Sequence, residues 1–267
     1  MAKVIVNADD FGISLGVNEA VVKMYKEGNL TSASLMINSK YTQDAVKKAL
    51  KHQKLDVGLH FNLTTGKAVL HNISIPLLTD DEGNFKNGFL SLLLLSIFKR
   101  KAFLKQVEAE MKAQIELLKV FQIKPSHIDG HRHIHYLFGV FAIASKLAKE
   151  YNIKRIRVIN ESLISTLKMS LKFPISGLIK WFVLRFLGVF NGSYKVKAPY
   201  FFSIIHSCRI NSTILNKFKL NPKFDAVEFM IHPSIKNLDE DNEIEYEKEH
   251  LKSNFRTLEL QFIKPKI

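Results

Sequence analysis

Short apolar or β-branched runs alternate with helix-length amphipathic stretches along almost the whole chain, and this alternation restricts the fold more than any other feature. Strands separated by crossover-length helices pair in parallel and bury both faces. The pattern predicts strands at residues 3–8, 32–37, 56–63, 126–129, 154–159, 201–205 and 226–231. Helices are expected at 17–26, which Gly28 closes, and at 44–52, 103–121, 138–151, around 212–220 and at 243–259. The fold class is therefore α/β. About seven such units suffice to curl into an irregular (β/α) barrel of about seven parallel strands. A length of 267 residues suits a single domain, since such barrels run to roughly 250 residues. Two apolar insertions, near 66–101 and 160–198, interrupt the series, and the turn-rich stretch after the third strand is long enough to expect a functional role.

Composition excludes some classes and opens one question. With 46% hydrophobic residues the chain is not disordered, and its single cysteine, Cys208, cannot form an internal disulfide. The first residues enter a strand directly, so the protein reads as cytoplasmic with no cleaved leader. The best candidate for a membrane span, 173–190, contains Pro174, Lys180 and Arg185 and does not qualify. A net charge of +14 calls for an anionic partner: nucleic acid, phospholipid or a phosphorylated substrate. No helix-turn-helix, RNA-binding or zinc-finger pattern supports nucleic acid.

Parallel barrels place their chemistry at the carboxyl ends of the strands, and four predicted strand ends carry residues suited to metal-assisted hydrolysis. Asn7-Ala8-Asp9-Asp10-Phe11-Gly12 ends the first; adjacent carboxylates leaving a strand point to different sides, so one can bind a metal while the other holds a water. Gly58-Leu59-His60-Phe61-Asn62 places an imidazole at the third. The run from His127 to His135 packs four of the ten histidines into nine residues, with Asp129 among them, and Gly130 permits a sharp exit that turns His131 toward the strand ends. His232, before Pro233, closes the last strand as a fourth candidate. One carboxylate and two imidazoles make a sufficient ligand set for a catalytic divalent ion, and Asp10, His60 and His131 are the expected ligands.

These blocks, together with Leu63-Thr64 and Met230-Ile231-His232-Pro233, resemble the signatures of the YdjC-like (ChbG-type) carbohydrate deacetylases, in order and across nearly the whole chain. Gly130 stands where members of that family commonly carry Ser or Thr. The resemblance implies a barrel like that of the polysaccharide deacetylases and removal of the acetyl group from an N-acetylated amino sugar. It implies Asp10, His60 and His131 as metal ligands, Asp9 as general base and His232 as general acid. Asn62, Asp129, His133 and Arg155 are candidates for substrate contacts, and Arg155 or Arg157 could instead orient Asp9. Two imidazoles favour zinc, whereas the family is also associated with magnesium, so one divalent ion, Zn2+ or Mg2+, is expected.

Both insertions mix long apolar runs with spaced cations, Gly88 to Lys101 in the first and Leu163 to Lys197 in the second. Helices of that type lie in a headgroup boundary with Lys and Arg on anionic lipid, though core helices or a homo-oligomer interface read equally well. The expectation is an N-acetylhexosamine carried on a polyprenyl phosphate or similar lipid, met by a peripheral protein at the cytoplasmic face. A deacetylase of soluble chito-oligosaccharides, a metal phosphoesterase and a non-catalytic basic membrane or nucleic-acid binder are the alternatives; the phosphoesterase would want ligands for more than one ion.

Overall fold

Asn7 of the first strand stands beside both Ser32 and Met230, and Ala8 beside Ala33 and Ile231, so the first strand lies in the interior of the sheet with a neighbour on each side. In the computed structural model, which describes residues 2–169, 175–193, 196–239 and, beyond them, Arg256, Glu259, Gln261, Phe262 and Pro265, seven strands form one sheet. They are β1 (Lys3–Phe11), β2 (Ser32–Leu35), β3 (Asp56–Phe61), β4 (His127–Gly130), β5 (Arg155–Ile156), β6 (Tyr200–Phe202) and β7 (Ala226–Ile231). The order is β5-β4-β3-β2-β1-β7-β6, and every pairing is parallel. The expected curl of seven parallel strands is present; β2 ends at Leu35 and β3 at Phe61, short of the expected 37 and 63, and two further strands are much shorter than the sequence suggests. β5 keeps only Arg155–Ile156 of 154–159, and β6 stops at Phe202.

These two short strands are the sheet's edges. The barrel is open between them, and side chains replace the missing ladder: Asn160 accepts the Phe201 N–H at 2.7 Å and donates to the Pro199 carbonyl at 3.0 Å. The Tyr200 hydroxyl accepts the Ser162 N–H at 3.0 Å.

Helices cover the outside: α1 (Leu15–Lys26), α2 (Thr42–Lys51), α3 (Phe89–Phe98), α4 (Arg100–Val120), α5 (Val140–Glu150), α6 (Leu163–Met169), α7 (Ile175–Asn191) and α8 (Ser212–Lys217). Ser14 caps α1 by accepting the Val17 N–H, and Gly28 closes it at a φ of +75° that other residues adopt only with strain. The predicted terminal helix, 243–259, lies outside the described residues except for Arg256 and Glu259, which are helical. The long stretch after β3 is pinned rather than loose. Glu110 on α4 accepts the Val69 and Leu70 N–H groups, and Gln114 exchanges hydrogen bonds with the Asn62 backbone.

Gly58, two residues before His60, has no room for a side chain, because an added Cβ would lie 2.4 Å from atoms of the buried His127 ring. Gly58→Ala is expected to destabilise the fold by about 2 kcal/mol through overpacking and to lower Tm by about 4–8 °C in a thermal melt.

Candidate active site

Two departures from ideal geometry gather the site. Between Ala8 and Phe11 the β1–β2 register shifts, and Asp10 adopts a φ of +65°, so Asp9 and Asp10 line one cavity instead of pointing to opposite sides as plain alternation predicts. After β4 the turn is made by Arg132 and His133, at φ +53° and +58°. Gly130 itself stays extended at φ −157°, so the expected sharp exit falls two residues later. An added Cβ at Gly130 would meet His135 Nδ1 at 3.0 Å, so the position is crowded.

The cavity has a volume of about 490 Å³, within the range of small-molecule sites. Its floor carries Asp9, Asp10, His60, His131, His133 and His232; its apolar rim comes from Phe89 of α3 and Ile179, Val183 and Leu184 of α7. Asp10, His60 and His131 converge, offering one donor atom each within 4.8 Å of one another. Both imidazoles face Asp10 Oδ1, with His131 Nδ1 donating at 2.8 Å and His60 Nε2 standing 3.3 Å away.

His60 Nδ1 donates to Asp129 Oδ1 at 2.7 Å, so its Nε2 is the nitrogen turned toward the cluster, the second-shell arrangement that orients metal-ligating histidines. Burial opposes a charge on His60, yet Asp129 and Asp10 overcome it and push the imidazole up to about 10. Burial likewise opposes ionisation of Asp10, but the Arg256 guanidinium and His131 hold it well below the ordinary 3.8. The carboxylate and two imidazoles of this buried cluster are the donor types that hold a divalent cation, and their converging atoms fit one.

Asp9 is held differently. Arg157, fully buried at the exit of β5, donates from Nη1 and Nη2 to the two Asp9 oxygens, both at 2.7 Å. The same guanidinium reaches Asp129 Oδ2 and Glu228 Oε1, again at 2.7 Å. Asn7 adds a 2.8 Å hydrogen bond to Asp9 Oδ1. Ser34 takes the other Asn7 amide hydrogen and donates to Asp129 Oδ2 at 2.6 Å, joining the two carboxylates through one buried network. One guanidinium thus ties together three buried carboxylates, Asp9, Asp129 and Glu228.

His232 follows β7 and lines the cavity. Glu259 accepts its backbone N–H at 2.6 Å. Burial opposes protonation of the ring, but the Cys208 sulfur, the Glu259 carboxylate and Asp10 hold it well above the ordinary 6.5.

The remaining predicted contacts scatter. His133 lines the cavity, whereas Asp129 lies beneath it as the partner of His60 and Arg157. Asn62 is buried outside it and caps its own turn, accepting the Thr64 and Thr65 N–H groups. Arg155 pairs in register with His127 at the amino-terminal end of β4, away from the cavity. Of the two arginines considered for orienting Asp9, Arg157 is the one in contact. Arg256, Glu259 and Ser34 escape sequence reasoning because nothing near them forms a motif. The acid-rich stretch preceding Arg256 reads as a solvated surface.

Fold and site together define a curled parallel α/β protein with a carboxylate-imidazole centre at the carboxyl ends of its strands. The profile of the YdjC-like protein family matches residues 3–265, and the chain belongs to that family. It is 36% identical over 173 residues to a protein of Clostridium beijerinckii named carbohydrate deacetylase, covering 64% of this chain and 67% of that one. It is 40% identical over 151 residues to a carbohydrate deacetylase of Brevibacillus brevis, covering 57% of each. The aligned stretches thus leave a third or more of these relatives unmatched. In fold, the chain resembles a crystal structure from Enterococcus faecalis described as a cellobiose-phosphate cleavage protein, with a TM-score of 0.72 at 23% identity over 99% of this chain and 91% of that one.

Proposed function

We propose that this chain hydrolyses the N-acetyl group of an amino sugar, an N-acetylhexosamine, with a divalent ion held by Asp10, His60 and His131. The observation that carries the reading is the pairing, in one cavity, of that convergent donor set with a separate carboxylate, Asp9, immobilised by Arg157. Membership of the YdjC-like family and the carbohydrate deacetylase names of its relatives support it. When bound, the ion supplies a Lewis acid for the amide carbonyl and lowers the pKa of a water. Zinc and magnesium both suit the donors.

Amide hydrolysis needs a proton taken from water and one given to the departing amine. Asp9 takes the first. Its carboxylate has spare lone pairs after the bonds from Arg157 and Asn7, and the grip of Arg157 fixes the direction in which they point. His232 gives the second. The surroundings that favour its imidazolium, Cys208 and Glu259 beside Asp10, keep a proton available at neutral pH. His133, which lines the cavity, contacts the sugar in this reading.

The substrate is lipid-carried in this reading. Leu90, Leu94, Ile97 and Phe98 are exposed on α3, and Ile175, Ile179, Phe182, Phe186, Val189 and Phe190 on α7; both helices also form the rim of the cavity. Lys99, Arg100 and Lys101 follow the first stripe and Arg185 interrupts the second. Among the described residues no helix is long and apolar enough to cross a membrane, so the stripes suit an interfacial contact. Phe182→Asp with Phe186→Asp is expected to weaken binding to anionic vesicles at least about tenfold at low salt, each withdrawn ring removing on the order of 1 kcal/mol. Co-sedimentation measures this.

Acetate release from free chito-oligosaccharide and from a polyprenyl-phosphate-linked N-acetylhexosamine tests the whole reading. Faster release from the lipid-linked sugar supports it. Preference for the soluble sugar, without vesicle binding, removes the lipid; no acetate from any N-acetyl sugar removes the activity.

A further inference from the structure

We infer that Cys208, His232 and Glu259 form a second cation site, of zinc-like preference, whose occupation takes His232 out of the reaction. Three separate segments meet there: the chain after β6, the end of β7 and the carboxyl-terminal helical residues. Their sulfur, imidazole nitrogen and carboxylate oxygen lie within 4.8 Å of one another. None of them belongs to the Asp10, His60 and His131 set, so both centres can be filled at once.

The distances favour a shared ion over direct contact. His232 Nδ1 is buried without a hydrogen-bond partner, and Glu259 Oε2 stands 3.8 Å away, too far for a hydrogen bond. Two ligands of one ion, each bonded at about 2.0–2.2 Å, sit roughly 3–4 Å apart. Glu259 is itself anchored, since it accepts the N–H groups of His232 and of Ile210, at 2.6 and 3.4 Å. Second-shell bonds of that kind hold a ligating carboxylate in place.

The chemistry sets the selectivity. A thiolate beside an imidazole and a carboxylate selects zinc and its neighbours and leaves magnesium aside, whereas the sulfur-free set around Asp10 accepts either. Binding releases the thiol proton and engages the imidazole, so His232 can no longer hand a proton to a leaving amine. Cys208 and His232 both line the cavity, so the ion enters by the substrate's route and keeps an open position toward it. Zinc held at this second site would then silence the reaction, whereas magnesium would fill only the first centre. The silencing rests on the role given above to His232; the site itself does not.

Chelator-stripped protein titrated with Co2+ tests the site without reference to turnover. The charge-transfer absorption of a cobalt-thiolate bond should grow within two equivalents, and should be missing in Cys208→Ser and Cys208→Ala, which still bind one. In parallel, excess Zn2+ should depress acetate release about 100-fold in the unmodified protein, the scale of a lost general acid, and far less in either cysteine variant. No cobalt-thiolate band, or a band unchanged by the substitutions, overturns the proposal. So does zinc inhibition of equal depth with and without Cys208. A protein that shows the band yet releases acetate from no N-acetyl sugar would leave the site standing and refute the deacetylase reading.

Discussion

Arg157→Met is expected to cost about 3–5 kcal/mol of stability and to abolish measurable turnover, because it leaves Asp9, Asp129 and Glu228 buried without their common cation. Chemical denaturation measures the first effect and acetate release the second. The pH dependence should reverse. In the parent protein burial opposes the ionised form of Asp129, but Arg157 and His60 hold it well below its ordinary 3.8, so its contribution is complete above that value and drains only as pH falls through the lowered range. In Arg157→Met the stranded carboxylates bind protons more tightly folded than unfolded, so stability should rise as pH is lowered from 7 to 5. Arg157→Lys keeps the charge but loses the planar fork; it should recover part of the stability while turnover stays low, since Asp9 is no longer aimed.

His60→Ala is expected to remove metal binding. Losing a ligand should weaken metal affinity by more than about 100-fold, beyond the 10–100-fold typical of a second-shell change. Asp129→Asn, which leaves all three ligands in place and changes the partner of His60 Nδ1 together with the contacts to Arg157 and Ser34, should fall within that smaller range. Metal content after dialysis, read by elemental analysis, separates the two. Equal retention by both variants would contradict the assignment of His60.

Much of this arrangement is legible in the sequence because it follows from local periodicity. The strands declare themselves as buried runs, and since the sheet is parallel their carboxyl ends fall on one side, which brings Asp10, His60 and His131 together without knowledge of the strand order. What is hidden depends on tertiary partners or on backbone irregularity. The bulge that turns Asp9 and Asp10 into one cavity has no marker beyond the sequence Asp-Asp-Phe-Gly, and plain alternation sends them to opposite faces. Asn62 follows a strand end as His60 does, and only the hydrogen bonds to Gln114 and Thr64 show that it serves the turn. Arg155 and Arg157 share one face of a short strand, so periodicity cannot choose between them; the register with His127 and the grip on Asp9 do. Glu259 and Arg256 reach the site across more than 200 residues of chain from Asp10, a distance over which sequence pattern carries no signal.

The division of labour between the two adjacent carboxylates is the centre of this account, and Asp9→Asn tests it most directly when metal content and acetate release are measured on the same sample. The substitution keeps the shape and removes the proton acceptor. The account predicts an ion content equal to that of the parent protein and turnover lower by about 100- to 10,000-fold, the range of a lost general base. An Asp9→Asn protein that releases acetate at the parental rate, or one that loses its ion along with its activity, would contradict it.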